Sequence, residues 1–299
     1  MALVLRGFID VRPHAPGGFD HGDVHLESGR IFVAHTASGT IEILDGQEAV
    51  QLATVNGCPE ASGVLCAQED GFVFAAARGA GKVLVIEARS GTVVRELKVG
   101  PRPNGLAWDS GRKRLLVADV EDLTGRLIDP ATGSLLQLIL LPGRPRWAVY
   151  HAERDCFLVN IREPATLLVL AGNDGTPMEA WPISSDGPHG LDIDPVGGKA
   201  FVACDGGMVV ALDLVTGREI GRAPIAGEPD VVWYNSRRNR LYIAFGKPGL
   251  VEVIDTRSLT PIEKVVTEEG AHTTAFDRTR QRLYVFLPQA CRVAVYEEV

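Results

Sequence analysis

His189, Asp230 and His272 each stand the same distance ahead of a short apolar run: AFVAC at 200, LYIAF at 241 and LYVFL at 283. Two imidazoles and a carboxylate brought to one point suit acid–base chemistry. They also form a ligand set for Zn²⁺ or another first-row metal. Arg146 holds the corresponding place ahead of FLVNI at 157. It offers a planar fork that grips a carboxylate or phosphate through two hydrogen bonds. Whether these side chains meet depends on the elements that carry them.

The spacing is that of a repeat. Second apolar runs begin at 31, 73, 115, 157, 200, 241 and 283, so the sequence number rises by 42, 42, 42, 43, 41 and 42 from each start to the next. Each repeat reads as four short strands. In the third they are NGLAWD, LLVADV, GRLIDP and SLLQLIL, separated by the turns SGRKR and ATG and by a short step. Four short antiparallel strands per period of this length make the blade of a β-propeller. The fold class expected is all-β: a seven-bladed β-propeller of four-stranded antiparallel blades, one domain over residues 1–299. The last repeat stops after CRVAVYEEV, and MALVLRGFIDV at residues 1–11 has no repeat of its own. A ring must hide its strand edges, so the N-terminal strand is expected to close the last blade.

The turn-plus-strand units DRTRQRLYVF, NSRRNRLYIA and DSGRKRLLVA, with VEVIDTRSLTPIEKV after the second of them, resemble the YVTN-type seven-bladed propeller repeat. The resemblance covers essentially the whole chain, implies the fold and says little about activity. The last two repeats match best. The first two depart: in the first, HLESGRIFVAH reads as a turn shortened by two residues, and in the second, CPEASGVLCAQEDG carries extra residues before its first strand.

In an antiparallel hairpin the start of the first strand lies beside the end of the second, and in a propeller the first strands line the central channel. These positions from every blade converge on one rim, the kind of concave mouth that ligand sites favour. Aligned on the second strands, the leading positions are Gly22 (flanked by His21 and Asp23), Ser62, Asn104, Arg146, His189, Asp230 and His272. The matching ends of the second strands are His35, Ala77, Asp119, Ile161, Cys204, Phe245 and Leu287. The expected metal ligands are His21, His189, Asp230 and His272, with His189, His272 and Arg146 as catalytic groups. Glu60, Asn104, Asp119, His35 and Cys204 are further rim candidates. Against this stands a plainer account: Asn, Asp, Ser and Gly suit turns for backbone reasons alone, and a rim histidine needs no ligand. For Cys204 the plainer account is a small buried residue, with a thiolate role as the competing one.

The remaining signals narrow the function class. A net charge of −8 argues against nucleic acid or an anionic membrane as partner, and LLQLILL, the longest apolar run, is too short to span a bilayer. No signal peptide is seen, and five cysteines without a CxxC pair fit a reducing compartment. The expected location is cytoplasmic, or periplasmic if a leader has been removed. RGAGK at 78–82 lacks the spacing of a phosphate-binding loop, so no nucleotide cofactor is expected. Trp108, Tyr150, Tyr234 and Phe276 share one strand position, which points to blade-to-blade packing.

Two functions stay open. One is a small-molecule hydrolase or lyase assisted by a divalent ion (Zn, Mn, Ca or Mg), lactonase-like by fold analogy only. The other is a non-catalytic scaffold that binds a small molecule, a peptide or a protein at the channel mouth.

Overall fold

The computed structural model describes residues 2–12 and 17–299. Seven four-stranded antiparallel sheets follow one another along the chain. Blades one to six span residues 19–55, 61–98, 103–140, 145–182, 188–224 and 228–266. In each, the strands pair in chain order from the axis outward. The seventh holds the strands Thr274–Asp277, Arg282–Leu287 and Arg292–Glu298, and its outermost strand is Leu3–Asp10, antiparallel to Arg292–Glu298. The N-terminal strand therefore closes the ring as its sequence predicts. Among the described residues, no helix is long and apolar enough to cross a membrane.

Burial falls from the axis outward. In blade three the second strand, Arg114–Asp119, is buried at every position but its first, whereas the fourth, Ser134–Leu140, is exposed at all but Ile139. The core lies between blades rather than at one centre. Aromatic rings at the shared first-strand position pack on rings of the preceding or the same blade: Trp108 on Phe74, Tyr150 on Phe157, Tyr234 on Phe201 and Phe276 on Tyr242, with centroids 4.9–5.5 Å apart. Polar staples reinforce these interfaces. Asp23 Oδ2 accepts the Cys66 amide at 2.8 Å, and Asp192 Oδ2 accepts the Tyr234 amide at 2.7 Å.

The turn joining first and second strands is the same four-residue device in all seven blades. Its last residue is left-handed each time: Gly29, Gly71 and Gly198 at φ 71°, 68° and 64°, and Lys113, Asp155, Asn239 and Gln281 at 56°, 50°, 53° and 56°. Blade one is no exception, because His25 pairs with Arg30 across residues 26–29. The shortening expected in HLESGRIFVAH is absent, and this moves the alignment of the first blade.

A second backbone requirement sits beside the rim. A Cβ on Gly63, Gly105 or Gly190 would lie 2.0, 2.4 or 2.3 Å from the carbonyl oxygen of Asn104, Arg146 or Asp230 in the next blade. Glycine follows the rim residue in these blades because neighbouring first strands touch there. Gly190→Ala is expected to destabilise the fold by about 1–3 kcal/mol, since a backbone carbonyl cannot rotate out of the way as a side chain would. Urea unfolding, with the midpoint shifted and the slope unchanged, is the measurement.

Candidate functional site at the channel rim

Register identifies the rim residues. Pro188 pairs with Cys204 and Leu191 with Val202; in blade one, Phe19 pairs with His35 and Gly22 with Val33. Asp20 therefore occupies the place in blade one that His189 occupies in blade five, and Gly22 lies two residues deeper. The seven equivalent positions are Asp20, Ser62, Asn104, Arg146, His189, Asp230 and His272.

The half of the ring formed by blades four to seven carries the cluster. His189 Nδ1 is 2.9 Å from Asp205 Oδ1 and its Nε2 is 3.2 Å from Asp230 Oδ1. The other Asp230 oxygen, Oδ2, is 2.5 Å from His272 Nδ1. Arg162 Nη2 lies 2.8 Å from Asp205 Oδ2. These side chains, with Arg146, line a cavity of about 460 Å³ whose outer lip adds Lys247, Glu228 and Glu269.

The charge states follow from the geometry. Both ring nitrogens of His189 face carboxylate oxygens, an arrangement satisfied only by a doubly protonated imidazolium. Burial works to lower its pKa, but the Asp230 charge and the hydrogen bonds to Asp205 and Asp230 override this and lift it to about 9. His272 also rises, because the bond and charge of Asp230 outweigh burial. Asp230 is pulled well below the carboxylate range by the two imidazoles, against its own burial.

The raised His189 pKa makes stability depend on pH. The stabilisation is complete below 6.5, the ordinary histidine value, and is lost as pH rises through about 9. With the side chain only 16% exposed, the loss expected from His189 is about 3 kcal/mol. Urea unfolding from pH 6 to 10 should show this decline in the parent chain and a smaller one in His189→Gln.

Arg146 stands apart. Its Nε is buried without a hydrogen-bond partner, and its guanidinium forms no ion pair among the described residues. Burial and the like charge of Arg144 lower its pKa, with only partial relief from Asp230. In the opposite half of the ring the arginines are ion-paired internally. Arg78 reaches Asp20 Oδ2 and Asn104 Oδ1, each at 3.2 Å, and Glu60 pairs with Arg102 at 2.5 Å.

The expected site residues thus separate. His189, Asp230, His272 and Arg146 converge on one cavity. Asn104 and Glu60 lie on the rim but are committed to arginines. Asp119 is fully buried; its Oδ2 accepts the Arg102 amide at 2.7 Å and its Oδ1 caps the turn amides of Glu121 and Asp122. His35 is inside blade one, stacked on Phe19 at 4.6 Å and 3.3 Å from Glu42 Oε1. Cys204 sits in the apolar cluster between blades four and five, and burial pushes its thiol up to about 12.

His21 is one step deeper than the rim. Its ring lies 4.2 Å from that of Trp147, centroid to centroid, and its Nε2 is 3.3 Å from Asp20 Oδ1. Blades one and four are three apart in the ring, so this contact crosses the channel, one residue deeper than Asp20 and Arg146 of the rim. Desolvation lowers the His21 pKa and keeps the ring neutral.

Sequence reasoning missed Asp205, Arg162 and Asp20. The first two follow directly after the ends of the second strands, Cys204 and Ile161. Those end residues turn inward and the next ones face the rim, so counting one residue further finds them.

As to chemistry, the donor set presents a fixed imidazolium, a carboxylate-held imidazole and an unpaired guanidinium. Among the described residues, no group of three or more His, Cys, Asp or Glu side chains is disposed to hold a metal ion. Comparison with models of protein families finds no match for the chain, and comparison with curated proteins finds none either.

Proposed function

We propose that the rim cavity binds a small molecule through a carboxylate or phosphate group, clamped by Arg146 with help from Arg162, and that His272 exchanges a proton with it. The observation that carries this reading is Arg146: a half-buried cation whose Nε is enclosed without a partner is costly, and an anionic ligand would supply the missing partner. The local charges allow it: Arg146, Arg162 and Lys247, with the imidazoles of His189 and His272, line the cavity against the four carboxylates of Asp205, Asp230, Glu228 and Glu269.

Asp230 acts on His272 through Nδ1, which fixes the ring and leaves Nε2 for a ligand. His189, locked as a cation, would stabilise negative charge that develops beside it. This combination suits proton removal next to a carboxylate, as in a lyase. A metal-assisted version uses the same residues, but a cation would have to displace the protons that now join Asp230 to both imidazoles. The turn-and-strand motifs of the last two repeats support membership of the YVTN-type propellers.

Titration calorimetry with inorganic phosphate and with small 2-oxo and 2-hydroxy carboxylates tests the proposal. Arg146→Met is expected to weaken binding of the preferred anion roughly a hundredfold. It is also expected to stabilise the unliganded protein slightly, by about 1 kcal/mol at most, because an apolar side chain replaces an unpaired, half-buried charge. Anion binding that survives the substitution would overturn the clamp. Elemental analysis of the parent and of His189→Ala/His272→Ala separates the metal version: a stoichiometric ion lost in the variant would favour it.

A further inference from the structure

The channel has a second mouth, on the side to which His21 and Trp147 face. A cavity of about 550 Å³ opens there, lined by residues from all seven blades. Its walls are aromatic: Trp108, Trp147, Tyr150, Trp233 and Tyr234 all line it. Its charges are opposite in sign to those of the rim, since Asp23, Glu69, Asp192 and Asp194 face it and Arg278 is the one cationic side chain in the lining. Arg278 is committed to Asp192 at 2.8 Å, and Asp194 accepts the Tyr234 hydroxyl at 2.9 Å. Asp23 binds backbone amides through both oxygens and forms no ion pair among the described residues. Burial raises its pKa to about 6, so above that pH it adds negative charge to the chamber.

Two details point to what such a chamber would hold. Arg278 lies over the Trp233 ring at 5.6 Å, so the wall already stacks a planar cation on an indole. Trp108 and Trp233 each donate the indole N–H to a protein oxygen, whereas the indole N–H of Trp147 has no partner among the described residues.

We infer that this second mouth binds a small organic cation, an ammonium group carried on an aromatic or branched apolar body, held by the tryptophan walls and by Asp23 and Glu69. Aromatic faces with nearby carboxylates recognise such a group by its charge and its weak hydration together. The two mouths then take ligands of opposite charge.

Three of the four tryptophans line this cavity, so intrinsic fluorescence reports on it. The probe is 2-phenylethylammonium, with 2-phenylethanol as its uncharged counterpart. Saturable quenching by the amine and not by the alcohol is expected. Asp23→Asn and Trp233→Leu should each weaken it roughly tenfold, and Glu69→Gln, an exposed substitution that leaves the core untouched, should weaken it less. Arg146→Met should leave it unchanged, which keeps the test independent of the rim site. Equal binding of the alcohol, no saturation by the amine, or loss of quenching in Arg146→Met would each overturn the inference. Thermal unfolding of every variant distinguishes a lost site from a lost fold.

Discussion

Removal of residues 1–11 is expected to leave a chain that aggregates or unfolds without a cooperative transition. The strand Leu3–Asp10 does more than cover an edge. Ala2 and Leu3 pack in the cluster between blades six and seven, while Ile9 and Val11 pack in the one between blades seven and one. Burial of Leu3, Ile9 and Val11 contributes about 5–9 kcal/mol, comparable with the whole stability of an ordinary domain. The deletion would also leave Arg292–Glu298, whose own Val293, Ala294 and Val295 are buried, as an unpaired edge. Circular dichroism melting and size-exclusion chromatography check the result. A monomer with an unchanged melting temperature would mean that the ring closes without this strand. Adding a peptide of residues 1–11 in trans is expected to restore part of the transition, since the strand enters as an edge and threads nothing.

The second large effect is expected at Asp230. Among the described residues it is the one side chain paired with both His189 and His272, and it is largely buried. Asp230→Asn keeps the shape and removes the charge, leaving two imidazoles beside Arg146 without their shared counter-ion. At pH 6 the loss is expected to be about 3 kcal/mol, of the size seen when one partner of a buried ion pair is removed. The imidazoles escape the penalty by releasing protons, so the difference from the parent should shrink above pH 9, where His189 has released its proton in the parent as well. Imidazole NMR titration is the direct check: the pKa values of His189 and His272 should both fall in the variant. If neither moves, Asp230 does not set their charge.

The experiments at the two mouths complement these. Arg146→Met is expected to raise stability slightly while weakening anion binding, a combination that a structural arginine would not produce. The fluorescence probe addresses the other end of the channel. If the rim proves inert while the amine binds, the aromatic chamber becomes the working site and the histidine cluster becomes its support.

The repeat alone determined much of this. A regular period, four short strands in each repeat and a leftover strand at the start require a closed seven-bladed ring. Strand polarity then obliges His189, Asp230 and His272 to share a rim, because equivalent residues in a ring must point to the same end. That inference needed no coordinates. The glycines of SG, NG and HG are a different case. The sequence places them in turns, and only the approach of the next blade's carbonyl explains why no Cβ fits there.

What the sequence could not supply was everything that depends on which side of a strand a residue faces and on distance across the ring. Asp205 and Arg162 were passed over because the pleat turns Cys204 and Ile161 into the core and the next residue outward. Asp20 was displaced by a turn misjudged by two residues, an error that the left-handed φ of Gly29 exposes. His35 and Asp119 occupy the expected places in the chain, yet buried hydrogen bonds hold them inside their blades. The contact of His21 with Trp147 joins residues from distant repeats on opposite sides of the channel. Periodicity encodes what each blade repeats. The width of the channel, and so which side chains can meet across it and divide it into a cationic and an anionic mouth, is fixed only when seven blades pack into a ring.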